Sequence, residues 1–310
     1  MANARPTFTF VPRRRVIGLS FGMMRSLHRG SGTDIAGSRP YRPGDSMDVI
    51  DWAASARLST ARDADEFLVR ERFAEEAPKI ILVCDRRPNM AHFAPPLPWL
   101  DKPAAMRQVI ELVLASAGAS GGYVGYLDFA DGEAHWRQPK GERKLLEIRD
   151  ERLISSEFGG PADWLERSVA HLAEQRRGAS AGTFVFVLSD FIPSPAEDLW
   201  LTASEHRWDI VPVVIQDPTW EQSFPDVSGL VVPLRDASTG KTSAVRLRRE
   251  EVDARREANE ARTRALFDTF RALDIDPVQV TSSDPSAILA EFLVWSDLRR
   301  TRRVIGACAG

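Results

Sequence analysis

Three short runs constrain this chain more than anything else in it: KIILVCD at 79–85, TFVFVLSD at 183–190 and DIVPVVIQD at 209–217. Each is apolar on consecutive residues, too short for a typical helix, and rich in β-branched or aromatic side chains. A strand of that kind is buried only when both of its faces are covered, as in a parallel sheet held between helices. The intervening stretches supply those helices. MRQVIELVLASAGA sets Met106, Ile110, Val113 and Leu114 at helical spacing and stops at Gly121-Gly122. DWLERSVAHLAEQ is amphipathic and opens on Asp163 with Glu166 three residues on, a variant of the capping box. A helix in AEDLWLTASEH, a long charged helix over about 250–273, a strand in DPVQVTS and a last helix in PSAILAEFLVWSDLRR continue the alternation, and GERKLLEIRDERL reads as a further polar helix.

The fold class that follows is α/β: a doubly wound, mostly parallel sheet with helices on both faces. YVGYLDFA and EAHWRQPK, joined across Asp131-Gly132, predict one antiparallel hairpin at the sheet edge. GLVVPLRD and SAVRLRR pair across Ser238-Thr239-Gly240, and DEFLVRERFAEE alternates like a strand exposed on one face. Residues 1 to about 36 are rich in Arg and Gly without a period, and are expected to wrap over the domain or stay mobile. The boundaries so drawn are an N-terminal arm and signature segment at 1–77 packed against a domain at 78–298, then a basic tail at 299–310 whose arginines read as solvated.

Composition removes several functions. A net charge of −3 lacks the basic excess that a general nucleic-acid binder needs to neutralise phosphates. Two cysteines, Cys84 and Cys308, make no disulfide framework and point to a reducing, cytoplasmic compartment. The apolar stretch Val16–Met24 is followed by Arg25 without a small-residue cleavage site, and no other run is long and apolar enough to span a bilayer. Five scattered histidines have no zinc-ligand spacing, and neither a phosphate-binding Gly-Lys-Ser/Thr loop nor a Gly-x-Ser-x-Gly elbow is present.

Two places carry specific chemistry. In open α/β sheets ligands lie beyond the carboxyl ends of the strands, and two of the buried strands end on acids, Asp85 and Asp190. On neighbouring strands, about 4.8 Å apart, such carboxylates need a cation, a proton or an arginine between them; the plainer alternative is that each caps its own loop. The second place is GSRPYRPGDSMDVIDWAASAR at 37–57, polar and without a helical period. It reads in part as an internal clasp, with Trp52 as a buried anchor and Asp51 and Arg57 fixing the loop. Arg39, Tyr41 and Arg42, around a Pro43-Gly44 turn, read as a docking surface, since Tyr, Trp and Arg dominate interface hot spots.

The ordered set Arg39-x-Tyr41-x-Pro43-Gly44-Asp45, Ile50-Asp51-Trp52-x-x-Ser55-Ala56-Arg57, Val69-Arg70, Glu75 and Asp85 resembles the bacterial family called domain of unknown function 58. Gly22, Arg25, Gly30 and Gly32 fit its lead-in, and Asp190 in LSDF matches further on. The resemblance implies a von Willebrand factor A-like domain and a role beside MoxR-type AAA+ ATPases in assembling or activating other proteins. Many members carry N-terminal membrane helices; this chain resembles the short soluble branch.

A working metal-ion-dependent adhesion site of that fold uses Asp-x-Ser-x-Ser, a Thr and a further Asp, hard oxygen ligands suited to Mg²⁺. Here the first loop is Asp85-Arg86-Arg87-Pro88-Asn89, and Pro161 stands where the Thr is expected. The site reads as degenerate: no metal or other cofactor is expected, and if Mg²⁺ bound at all it would be through Asp85, Asn89 and Asp190. Arg87 is expected either to place its guanidinium between Asp85 and Asp190 as a built-in cation or to project into solvent. The expected function is a non-enzymatic adaptor for a protein partner, a MoxR-type AAA+ ATPase by resemblance. The competing class is a divalent-metal-dependent hydrolase or phosphoryl-transfer enzyme using Asp85 and Asp190.

Overall fold

The computed structural model describes residues 6–13, 35–41, 47, 50–62, 67–72, 77–92, 100–140, 157–175, 178–236, 239 and 241–308. The chain divides into two compact units, Arg14–Ala77 on the one hand and Met1–Arg13 with Pro78–Gly310 on the other.

In the smaller unit, β1 (Ile35–Pro40) pairs antiparallel with β2 (Leu68–Arg72), and α1 (Trp52–Arg62) lies between them in sequence. Asp51 starts the helix by accepting from the Ala54 N–H (3.0 Å), the usual task of an Asp at this position. Buried Ser55 then ties helix to strand: its hydroxyl donates to the Asp51 carbonyl (2.7 Å) and accepts from the Leu68 N–H (2.8 Å).

The larger unit is built on β3 (Lys79–Cys84), β4 (Tyr123–Asp128), β5 (His135–Lys140), β6 (Phe184–Ser189), β7 (Asp209–Ile215) and β10 (Val278–Val280), in the spatial order β10-β7-β6-β3-β4-β5. All neighbours are parallel except β5, which is antiparallel to β4 at one edge. A shorter antiparallel ribbon, β8 (Val231–Arg235) with β9 (Thr242–Arg246), stands apart from the sheet. The helices are α2 (Lys102–Ala119), α3 (Trp164–Glu174), α4 (Glu197–Glu205), α5 (Arg249–Ala272) and α6 (Pro285–Cys308).

Alternation along each strand sorts its side chains into two cores. Ile80, Leu82, Phe184, Phe186, Val211 and Val213 face α2 and α6. Ile81, Val83, Val185, Val187 and Val214 face Leu165, Trp200 and Phe270 of the helices on the other side. The doubly wound α/β class read from the three apolar runs is therefore what the chain adopts, with the antiparallel edge hairpin where Asp131-Gly132 placed it. Among the described residues no helix is long and apolar enough to cross a membrane.

Three sequence expectations need correction. Asp163 makes no side-chain cap; its carboxylate turns to Arg167 one turn on (2.9 Å), and that pairing lowers its pKa. Residues 299–310 are not a separate tail, because α6 runs to Cys308 and Arg299 is buried. At the other end, residues 6–13 belong to the core: Phe8 is buried with its ring 4.7 Å from Phe292 and 5.9 Å from Trp295. The polar helix expected in 141–153 lies outside the described residues.

Candidate functional site

The strand order reverses at β3: its crossover through α2 leads to β4 on one side, while β6 and β7 lie on the other. The carboxyl ends of β3 and β6 thus flank the point where such sheets open a crevice. Asp85 follows β3 and Asp190 follows β6, and both are fully buried.

The guanidinium of Arg87 lies between them. Its Nε reaches both Asp85 oxygens (3.0 and 3.1 Å), and its Nη2 donates to Asp85 Oδ2 (2.6 Å) and Asp190 Oδ1 (3.2 Å). The planar fork of arginine makes such a double engagement feasible where a lysine would offer one point. The Ser189 hydroxyl donates to Asp85 Oδ2 (2.7 Å), and the Arg87 and Ile192 amides cap Asp85 Oδ1 and Asp190 Oδ1 (2.9 Å each).

The fourth carboxylate oxygen, Asp190 Oδ2, accepts from Lys102 Nζ (2.9 Å), whose ammonium also donates to Glu221 Oε1. Lys102 is the first residue of α2 and has no exposed surface. Glu221 comes from the loop after β7, held by its own contact with the Asp217 N–H (2.8 Å) and by Arg262 of α5 on its carbonyl (2.6 Å). Three acids and two cations thus share one enclosed volume.

The electrostatics follow from burial and pairing. Burial pushes the Asp85 carboxyl up, against the pull of Arg87, while Asp190 nearby adds to the rise. For Lys102 burial acts to lower the pKa, but Asp190 and Glu221 together hold it above its ordinary value. The same contest leaves Arg87 raised through Asp85 and Asp190. Beside the crevice, Arg86 donates to the Tyr126 hydroxyl (3.1 Å), which donates to Asp128 (2.7 Å). Burial pushes the Cys84 thiol up to about 12, so it is inert as a nucleophile.

Phe191 explains how the loop closes. Its φ of 51° is a left-handed conformation that a bulky side chain rarely takes. The ring is pinned near Trp200 and Phe270 (5.8 and 6.0 Å) and its N–H donates to Ser189 Oγ (2.9 Å). That turn presents the Ile192 carbonyl to Arg87 Nη1 (3.0 Å) and to the Asn89 amide (3.4 Å).

The residues present do not fit a divalent cation. Every oxygen of Asp85 and Asp190 already has a donor, so neither carboxylate is open to a cation. Pro161 has no side-chain ligand to give; its loop instead backs onto the first one, through the Gly160 N–H on the Arg86 carbonyl (2.9 Å). Asp85, Arg87, Asn89 and Asp190 are thus brought together, and the sequence reading missed Lys102 and Glu221.

The signature segment is a different matter. Trp52 was expected as a buried anchor, but it is 56% exposed and edges against Phe67 (ring centroids 5.9 Å). The reason is local: Ile50, in an isolated bridge with Val69, ends the extended run, and α1 begins at Trp52. The alternation that would have turned Trp52 inward is broken there. Asp51 and Ser55 do the fastening, Arg57 turns back onto the Ala53 carbonyl (3.1 Å), and Tyr41 is exposed with its N–H on the Phe67 carbonyl (2.8 Å). The Arg39 backbone lies in β1 opposite Val69, whereas Arg42, Pro43, Gly44 and Asp45 lie outside the described residues.

A family model described as "Protein of unknown function DUF58" matches residues 37–266. Uncharacterised proteins from Mycobacterium bovis and Mycobacterium tuberculosis are each 25% identical over 247 residues, covering 77% of this chain and 72% of theirs. Among solved structures, an aerotolerance-related membrane protein from Bacteroides fragilis is similar at 15% identity and a TM-score of 0.41, over 69% of this chain and 98% of that one. The pilus adhesin SpaC from Lactobacillus rhamnosus aligns at 12% identity and the same TM-score, over 73% and 31%. At those scores neither likeness adds to what the strand order already establishes.

Proposed function

The chain belongs to the DUF58 family of proteins of unknown function, and from that premise we propose that it is a non-enzymatic protein-binding module with a crevice closed by its own cations. The observation that carries this reading is the saturation of the Asp85–Asp190 pair by Arg87 and Lys102. A metal-dependent hydrolase or phosphoryl-transfer enzyme built on these carboxylates needs their oxygens for ligands, and here an intramolecular cation would first have to leave. Ser189, the nearest hydroxyl, is buried and already both donates and accepts. What remains to such a fold is recognition by surface, in a reducing compartment such as the cytoplasm, which the two scattered cysteines support. The MoxR-type AAA+ ATPase implied by the sequence resemblance is the partner to test first.

The immobilised protein, stripped with EDTA and freed of chelator, is challenged with a MoxR-type ATPase from the same organism, with and without Mg²⁺ on the immobilised side. Equal capture is expected, together with a melting temperature that millimolar Mg²⁺ or Mn²⁺ leaves unchanged. A native-state ligand must stabilise by mass action, so a rise of several degrees with metal would show that the crevice opens to it. No capture under either condition removes the proposed partner.

A further inference from the structure

The β8–β9 ribbon has a face that the fold does not use. Its register sets Val231 opposite Arg246, Pro233 opposite Ala244 and Arg235 opposite Thr242. The intervening Val245 packs down onto the small cluster of Phe224, Leu247 and Val252, so alternation turns Val231, Pro233, Ala244 and Arg246 outward. Val231 is 62% exposed, its neighbour Leu230 58%, and Pro233, Ala244 and Arg246 are exposed as well. As a two-stranded sheet, the ribbon leaves the outer edge of each strand without a paired strand among the described residues.

Charge on this ribbon runs against the rest of the chain. The ribbon with its turn, residues 231–246, holds Arg235, Lys241 and Arg246 against a single acid, Asp236, in a protein of net charge −3. Arg246 donates to the Gly229 carbonyl (3.0 Å), and among the described residues no carboxylate pairs with it. An apolar strip carrying Lys241 and an Arg246 that no described carboxylate pairs with is complementary to a chain that alternates apolar and acidic side chains. An open strand edge offers such a chain main-chain hydrogen bonds.

We infer that the outer face of the β8–β9 ribbon docks an extended acidic segment of a partner protein. The inference rests on the protein-binding reading above and gives that reading a surface and a partner chemistry. The ribbon also stands on the loop that delivers Glu221: Trp220 and Phe224 of that loop lie under it, and Asn259 of α5 holds the Trp220 and Ser223 carbonyls (3.2 and 2.6 Å).

The test uses the full chain, and a charge-reversed form carrying Val231→Glu with Arg246→Glu, both at exposed positions. Fluorescence anisotropy is read against a labelled peptide alternating Glu and Val, its Lys–Val counterpart, and phosphatidylserine vesicles. The Glu–Val peptide is expected to bind the parent, weaken with added salt, and lose roughly tenfold or more in affinity on the charge-reversed form. Equal binding of the Lys–Val peptide, preference for vesicles, or no binding of the Glu–Val peptide overturns the inference; in the last case the arginines and Pro233 only guard an open edge. Capture of the MoxR-type ATPase is run on both forms. If both capture it equally, the protein-binding reading stands and the ribbon is not its surface.

Discussion

The two ends of the parallel sheet both bury aspartates against arginine, and they do so for different reasons. At the amino end, Arg299 of α6 donates to Asp209 at the start of β7 (2.9 Å), to Asp276 ahead of β10 (3.0 Å) and to the Val11 carbonyl (3.2 Å). Arg13 adds its N–H to Asp209 (2.8 Å) and its guanidinium to Asp274 (2.9 Å). Arg299 of α6 and the strap residues Val11 and Arg13 come from segments outside the sheet, so the ions fasten them to the neighbouring strands β7 and β10. At the carboxyl end, β3 and β6 are already held side by side by their own hydrogen bonds. Arg87 there spans strands that the sheet already holds, and although Lys102 also ties in α2 and the loop of Glu221, the arrangement answers first to the facing pair of carboxylates. The lesson is that the same residue types make a structural joint at one end and neutralise a facing pair of carboxylates at the other.

The hardest test of that contrast is Arg299→Ala, which leaves the buried Asp209 with only the Arg13 N–H while Asp276 keeps Arg302, and is expected to cost about 3–5 kcal/mol in urea unfolding. Partner capture per folded molecule should not change. A loss below about 1 kcal/mol, the range of a surface pair, would break the fastener reading. Arg87→Ala is expected to cost less, about 3 kcal/mol at the lower end of the same range, because Lys102 still holds Asp190. Adding Asp85→Asn to it should recover about 1 kcal/mol, since the facing charges are then relieved; strict additivity would mean that Arg87 does not act between the acids.

The smallest expected effect concerns pH. Burial is the largest influence on Glu221 and raises its carboxyl, against the pull of Lys102. The folded state therefore takes up the proton first. That contribution to stability is complete below the ordinary glutamate value of about 4.3 and is lost as pH rises through the raised one. Glu221→Gln should thus gain on the parent between pH 4 and pH 7 by about 1 kcal/mol or less. Asp209 is also raised, by burial first, against Arg299. A matching trend in Asp209→Asn would show that the two ends share their electrostatics and differ only in what they join.

Much of this was legible in the sequence because strands buried on both faces have few alternatives, and because two of them end on acids with an arginine two residues after one. Lys102 escaped notice as one charge before a long apolar helix, yet a cation in the first turn is disfavoured by the helix dipole and signals a partner. Glu221 lies four residues past a third strand end, Asp217, that was not weighed with the other two. Arg299 looked like part of a basic run, although Phe292, Trp295, Ser296 and Arg299 share one helical face and are all buried. Trp52 misled in the opposite direction, since two residues of alternation do not show where a strand gives way to a helix.

The strap formed by residues 6–13 also has a consequence for biosynthesis. The Ser296 hydroxyl donates to the Thr9 carbonyl (2.9 Å) across 287 positions, and Arg299 reaches Val11 across 288. During translation the strap leaves the ribosome long before its receptor, so Phe8 has no seat until α6 has been made. Contacts closed over so long a loop slow folding, and until then the apolar surface that Phe8, Phe292 and Trp295 will share stays open to other nascent chains. Joining the strap to α6 therefore waits until synthesis has passed Arg299, and a ribosome that stalls earlier leaves that seam of the sheet undone.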